Sequence, residues 1–151
     1  MFQFHLQQTG IYPGSGAADE RGEKAGAGYT INIPLPAGAG REKFVAAFND
    51  VLIPAMEKFK PQFILISAGF DSHRDDPLAG LGLTAPDYAN LAHILCDIAE
   101  RHSNGRIVSV LEGGYNLTAL PESVLAHMEA LADRAELGSQ RDTISGASGQ
   151  P

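Results

Sequence analysis

Phe63-Ile64-Leu65-Ile66 runs directly into Ser67-Ala68-Gly69-Phe70-Asp71-Ser72-His73-Arg74-Asp75-Asp76-Pro77-Leu78, and further along Ile107-Val108-Ser109-Val110-Leu111 runs into Glu112-Gly113-Gly114-Tyr115-Asn116. Each begins as a short apolar run without alternation, the pattern of a parallel strand covered on both faces. Each continues as a glycine-bearing loop with polar side chains. Open α/β sheets bind ligands beyond the carboxyl ends of their strands, which is where both loops fall.

The rest of the chain extends this pattern. Residues 2–6 alternate apolar and polar like a strand, starting so close to Met1 that an earlier segment is expected. Tyr29-Thr30-Ile31-Asn32-Ile33 reads as another strand, closed by Pro34 and Pro36, which cannot continue a central ladder. Phe44, Phe48, Val51, Leu52, Ala55, Met56 and Phe59 fall at helical spacing over 41–59, with a kink expected at Pro54. Thr84-Ala85-Pro86-Asp87 has the form of a capped helix start, and Tyr88, Leu91, Ile94, Leu95 and Ile98 give that helix its apolar face. Residues 118–136 form a last amphipathic helix carrying Leu120, Val124, Leu125, Met128 and Leu131. After Leu137 the composition turns to Gly, Ser, Gln and Pro, so the reading is one domain over 1–137 and a disordered tail over 138–151.

The fold class is therefore α/β, a single parallel sheet flanked by helices with right-handed crossovers. So narrow a sheet leaves an edge strand in need of an upstream segment or a second chain, and self-association is one way to supply it. With 44% hydrophobic residues, the 151-residue chain is sized for one such core. Eighteen acidic against 11 basic residues, a formal charge of −7 with no basic run, argue against a nucleic-acid-binding surface. The lone Cys96 lies on an apolar helix face as packing, which excludes a disulfide framework and favours a reducing, cytoplasmic setting. No segment reaches the roughly 18 apolar residues of a membrane span, and the first residues lack the basic start of a signal peptide. Thr9 to Gly28, opening with Tyr12-Pro13-Gly14-Ser15-Gly16, is longer than compact domains keep without a purpose. Its charge run Asp19-Glu20-Arg21-Gly22-Glu23-Lys24 reads as a solvated loop, with a rim for cationic ligands as the other reading. His93 and His102 have no partner at ligand spacing and are read as structural or solvated.

The two loops carry parts of a hydrolytic site. Amide hydrolysis at neutral pH needs a metal or base to activate water, a donor for the developing oxyanion and an acid for the leaving amine. Asp71, in a glycine-flanked turn beyond a strand, can serve as a metal ligand, and Tyr115 as the oxyanion donor. Gly113 and Gly114 let an acyl chain approach the backbone, where a larger side chain would block it. On spacing alone, both turns read more readily as ordinary loop chemistry.

Ser67 to Leu78, ending Asp-Asp-Pro-Leu, then Leu111-Glu112-Gly113-Gly114-Tyr115-Asn116, resembles the carboxy-terminal half of the histone deacetylase and acetylpolyamine amidohydrolase family, most closely its bacterial class II-like members. Tyr12 to Gly16 and Gly28-Tyr29-Thr30-Ile31-Asn32-Ile33-Pro34-Leu35-Pro36 resemble it in the same order, so the likeness covers about residues 3–135. The resemblance implies part of an arginase-like α/β fold, zinc-dependent hydrolysis of acetyl-lysine or acetylpolyamine amides, and often structural potassium. It implies Asp71 as the third zinc ligand and Tyr115 as the tyrosine that polarises the substrate carbonyl. It implies Leu78 at the channel entrance and Gly113 and Gly114 as the channel's glycine wall. Tyr29 matches a position whose main chain contacts potassium in some members, while Asp76 reads as structural, with Pro77 fixing the loop.

The departures are as specific. The family's paired histidines and its Asp-x-His motif are not found in this chain. None of His5, His73, His93, His102 and His127 is adjacent to another histidine. Asp71-Ser72-His73 spells Asp-x-His, but in the third-ligand segment, so His73 is not read as a ligand. His5 stands near a position where the family has serine beside potassium, which weakens that ion's case. One carboxylate does not hold catalytic zinc, since such sites use three protein ligands. The expectation is an amino-terminally truncated zinc deacylase, inactive as an isolated chain. The alternatives are a non-catalytic binding or assembly module that retains this architecture, and a nucleotide-binding α/β domain. The last has little support, because Gly14-Ser15-Gly16-Ala17-Ala18-Asp19 lacks the third glycine of a dinucleotide fingerprint and no Gly-Lys-Ser or Gly-Lys-Thr occurs.

Overall fold

A computed structural model describes residues 1–11 and 14–146, with side-chain surroundings to residue 133. Tyr12 and Pro13 of the long loop, and residues 147–151 of the expected tail, lie outside the described residues. The strands are β1 (Gln3–Gln8), β2 (Thr30–Leu35), β3 (Ile64–Ala68) and β4 (Ile107–Leu111). The helices are α1 (Arg41–Ala47), α2 (Ile53–Phe59), α3 (Ala85–Ser103) and α4 (Ala119–Gly146), the last running on past the composition change at 137.

α1 and α2 are one helical segment joined by a π turn over Phe48–Leu52, where the Ile53 N–H reaches back to the Phe48 carbonyl. Pro54 has no N–H to offer the preceding turn, and the widened turn just before it takes up the mismatch that the sequence suggests as a kink. α3 starts as expected: the Asp87 carboxylate accepts the Thr84 N–H at 2.9 Å and the Thr84 hydroxyl at 2.7 Å. The same carboxylate holds the Arg41 guanidinium at 2.8 Å, which ties α1 to the start of α3.

The strands depart from the single sheet expected. β1 pairs in parallel with β2, from Gln3 opposite Thr30 to Gln8 opposite Leu35, and β3 pairs in parallel with β4, from Ile64 opposite Ile107 to Ala68 opposite Leu111. Among the described residues no ladder joins the two pairs. Pro34 lies inside β2 rather than closing it; β2 has a partner only on its β1 side, and an edge strand tolerates the missing donor.

Shared cores hold the pairs together. Phe4 and Leu6 of β1 and Ile64 of β3 pack against Phe48, Leu52, Met56 and Ile98. Leu35 of β2 joins Ala68, Phe70, Leu83 and Tyr88 in a second cluster, with Ile33 and Ile66 against it. At the carboxyl edge the loops are stitched by main-chain bonds, Gly38 N–H to the Gly80 carbonyl at 2.6 Å and Gly82 N–H to the Ala39 carbonyl at 2.9 Å. The Gln8 side chain adds another by accepting the Gly80 N–H at 2.6 Å.

The expectation that β3 is covered on both faces is also corrected. Leu65 is 63% exposed, and Val108 and Val110, on the same face by strand alternation, are 46% and 50% exposed. The helices cover only the other face.

Candidate functional site

Both loops emerge at the carboxyl edge of the β3–β4 pair, and the ladder continues into them. The Glu112 N–H donates to the Ala68 carbonyl at 3.0 Å, and the Phe70 N–H to the Gly113 carbonyl at 2.8 Å. Phe70, immediately before Asp71, is the anchor. Its buried ring lies 5.0 Å from the Tyr88 ring and edge-on to His127 at 5.7 Å, and its carbonyl accepts the Tyr88 hydroxyl at 3.0 Å. Burial, with the charges of Asp71, Asp76 and Asp87, pushes the Tyr88 phenol far up, so it remains a neutral donor.

Asp71 is half-buried, and its carboxylate lies against the main chain of both loops. A Cβ on Gly113 would stand 2.9 Å from the Asp71 carboxyl carbon, and one on Gly69 would stand 2.9 Å from Oδ1. Glycine at 69 and 113 is therefore the condition for this carboxylate to sit where it does. Gly114, at φ +132°, leaves no room for a Cβ either, which would meet Leu120 at 2.7 Å and Phe70 at 3.0 Å. Burial raises the Asp71 carboxyl above the usual range, and the charges of Asp76 and Glu112 act in the same direction against the N–H groups of Asp71 and Ser72.

The buried Asp76 carboxylate spans the loops. Oδ1 accepts the N–H groups of Leu78 at 2.9 Å and Ala79 at 3.1 Å, and Oδ2 accepts the Tyr115 N–H at 2.8 Å. Asn116 donates to the Asp75 carbonyl at 2.7 Å, while its Oδ1 accepts the N–H groups of Thr118 and Ala119 at the start of α4. The structure thus gathers Asp71, Leu78, Gly113, Gly114 and Tyr115 into one pair of bonded loops. Leu78 is 68% exposed and Tyr115 51% exposed, and among the described residues the Tyr115 hydroxyl has no hydrogen-bond partner.

Four of the five histidines have other neighbours. His73 is buried, with Nδ1 accepting the Asp75 N–H at 3.1 Å, and His127 is bonded to Ser109 at 2.9 Å. His5 meets Asn32 at 3.0 Å, and His102 lies 3.3 Å from the Glu57 carboxylate. Among the described residues no group of three or more His, Cys, Asp or Glu is placed to hold a metal. The Tyr29 carbonyl, expected near potassium, accepts the Gln3 N–H at 2.8 Å. No described helix is long and apolar enough to cross a membrane. A surface hollow of about 330 Å³, lined by Arg41, Val45 and Asp50 among others, includes none of the site residues. Another of about 160 Å³ lies between β1 and the 14–17 segment. That segment is pinned by Gln7, which donates to Ser15 and Gly16, and by Asn32, which donates to Ala17 and Glu20.

Sequence reading missed the support given by Tyr88 and the span made by Asp76. Tyr88 is indistinguishable from the other apolar positions of its helix, and its hydroxyl partner is 18 residues away. The Asp76–Tyr115 bond joins residues 39 apart. Neither has a local signal.

Residues 1–131 match the model of the histone deacetylase domain. A probable deacetylase of Archaeoglobus fulgidus is 46% identical over 126 residues, covering 83% of this chain and 35% of that protein. Histone deacetylase 14, chloroplastic, of Arabidopsis thaliana is 40% identical over 142 residues, covering 94% of this chain and 34% of its own length. The solved histone deacetylase Clr3 superposes with a TM-score of 0.79 at 32% identity, over 86% of this chain and 22% of that one. The chain spans about a third of the length of the curated relatives it matches. With the domain match running through both loops, this chain belongs to the histone deacetylase family.

Proposed function

We propose that this chain provides part of the active site of a zinc-dependent deacylase acting on acetyl-lysine or acetylpolyamine amides. The observation that carries the reading is the bonding of the Asp71 and Tyr115 loops into one unit, with a half-buried carboxylate and a free phenol at the edge where such folds bind substrate. Asp71 suits a metal ligand: its carboxylate rests in a cradle that any Cβ at 69 or 113 would fill, and its crowded charge favours a neighbouring cation. Zinc there would polarise the substrate carbonyl and lower the pKa of bound water. Asp71 would be one of three protein ligands, the others coming from the remainder of a deacetylase domain.

Tyr115 donates its phenolic proton in a hydrogen bond to the carbonyl oxygen as negative charge develops there, a task for a donor fixed at its backbone and free at its hydroxyl. Gly113 and Gly114 take the place that the family resemblance gives to the wall of the acyl channel, and exposed Leu78 supplies an apolar rim. A non-catalytic assembly module is favoured by one observation, the bare apolar face of the β3–β4 pair.

The test is a chimera in which this sequence replaces the matching segment of the Archaeoglobus relative, assayed on acetyl-lysine peptide and on acetylated polyamine. Turnover is expected in the chimera and not in the isolated chain. Tyr115→Phe should lower kcat about 10²- to 10³-fold, the cost of losing one oxyanion donor. Asp71→Ala should abolish activity and lower zinc content. A chimera that binds zinc and folds but turns over neither substrate favours the assembly module.

A further inference from the structure

We propose that Asp76 is the positioning residue of this site, the group that sets where Tyr115 stands relative to Asp71 and Leu78; this rests on the reading of Tyr115 as the carbonyl-polarising phenol. Asp76 bonds to the main chain on both sides of the site. One oxygen closes its own loop by holding the Leu78 and Ala79 N–H groups, and the other reaches across to the Tyr115 N–H at 2.8 Å. Pro77 follows it, pre-setting the turn those first two bonds close.

The choice of carboxylate is itself informative. An Asx turn within the 76–79 loop needs one acceptor oxygen, which asparagine or serine would supply. Only a carboxylate offers acceptors at both ends, and here three backbone donors converge on it. An amide would turn an N–H₂ toward either the Tyr115 N–H or the Leu78 and Ala79 pair. The residue is buried, and its bonds across and within the loops all go to backbone N–H groups. The flanking straps, Phe70 N–H to the Gly113 carbonyl and Asn116 to the Asp75 carbonyl, bracket Tyr115 without holding its own main chain. Half of the Tyr115 residue is open to solvent, so the bond from its backbone to Asp76 is what fixes the base of the phenol.

The experiment measures amide hydrogen exchange by NMR on the chain itself and kinetics on the chimera. In the unmodified chain the Tyr115 amide should be protected despite its exposed side chain. Asp76→Asn should speed exchange at Tyr115 by about tenfold or more, the scale of one charge-assisted bond, with the Val108 and Val110 amides of β4 unchanged. Asn116→Ala, which removes a strap and leaves Asp76, should keep Tyr115 protected. In the chimera, Asp76→Asn should lower kcat at least about tenfold with KM little changed, because only a donor used in the transition state is displaced. Exchange at Tyr115 that is unprotected in the unmodified chain, unchanged in Asp76→Asn, or raised equally across β4 overturns the proposal, as does a freed Tyr115 amide with kcat intact. A parent chimera without turnover counts against the deacylase reading, while the exchange measurements still decide whether Asp76 holds Tyr115. If Asp76→Asn does not fold, protection in the unmodified chain and in Asn116→Ala decides.

Discussion

The two faces of the β3–β4 pair are built from similar residues and have different surroundings. On one face Ile64 and Ile66 pack into the clusters formed with α2 and α3, and Ser109 is bonded to His127 of α4. On the other, Leu65, Val108 and Val110 are about half exposed or more. An unbroken apolar run states that both faces of a strand suit burial; it does not state that one chain supplies both covers. The bare face belongs with the other open feature of the fold, two strand pairs sharing a core without sharing a ladder.

The sharpest way to break this comparison is to truncate one side chain of each kind. Ile98, 1% exposed and packed in the cluster that receives Ile64, should lose about 2–5 kcal/mol of stability as Ile98→Ala. Leu65→Ala should cost under about 0.5 kcal/mol. Urea unfolding of both variants decides the matter, and equal losses would mean the exposed face is covered in solution.

A smaller effect sharpens the comparison at the site end of the covered face. Tyr88→Phe removes the donor to the Phe70 carbonyl, which keeps a 3.2 Å bond from the His73 N–H, so a loss of about 1 kcal/mol is expected. The same substitution should leave the far end of β4 unperturbed, as read from Ile107 and Val108 amide shifts.

The covered face also predicts a pH dependence that the bare face cannot have. Burial lowers the His127 pKa from its ordinary 6.5, so the folded chain keeps the ring neutral where the unfolded chain has begun to bind a proton. In that window the unfolded state carries more protons, and stability rises with pH. Stability is therefore lost on acidification below about 6.5, measurable as a falling urea midpoint, and His127→Gln should flatten that slope. A slope unchanged by His127→Gln assigns it to another group.

The sequence makes the strands, the capped start of α3 and the two site loops legible because each has a local signal: an apolar run, Thr84 with Asp87 three residues on, glycines beside an acid and a phenol. The resemblance carried by Ser67–Leu78 and Leu111–Asn116 then placed the chain in its family, as the match over residues 1–131 shows. The roles of Asp71 and Tyr115 were readable from loop chemistry as one option and were made specific by that resemblance; they stand as proposals. Periodicity could not tell that the sheet would part into two pairs, because pairing depends on which strands are neighbours in space. Nor could it show the glycine at 113 as a condition for the Asp71 carboxylate, a contact between residues far apart in the chain. The turn at Phe48–Leu52 was half legible: Pro54 announces a disturbance, and only the fold shows that it includes a π turn just before the proline.

The smallest expected change in stability tests the bare face directly. Leu65→Ser with Val108→Thr and Val110→Thr removes apolar surface that the fold leaves in water, so the folded state loses little packing and the melting temperature should move by no more than a degree or two. Association is where the change should appear. An apolar face on a parallel pair with free edges favours contact between copies at high concentration, and the triple variant should elute from gel filtration at a smaller apparent size than the parent. Identical elution of both as monomers would show that the face, though apolar, is too small to drive association. A large drop in melting temperature would instead mean that these three side chains are already buried in solution, and the contrast between the two faces would fall with it.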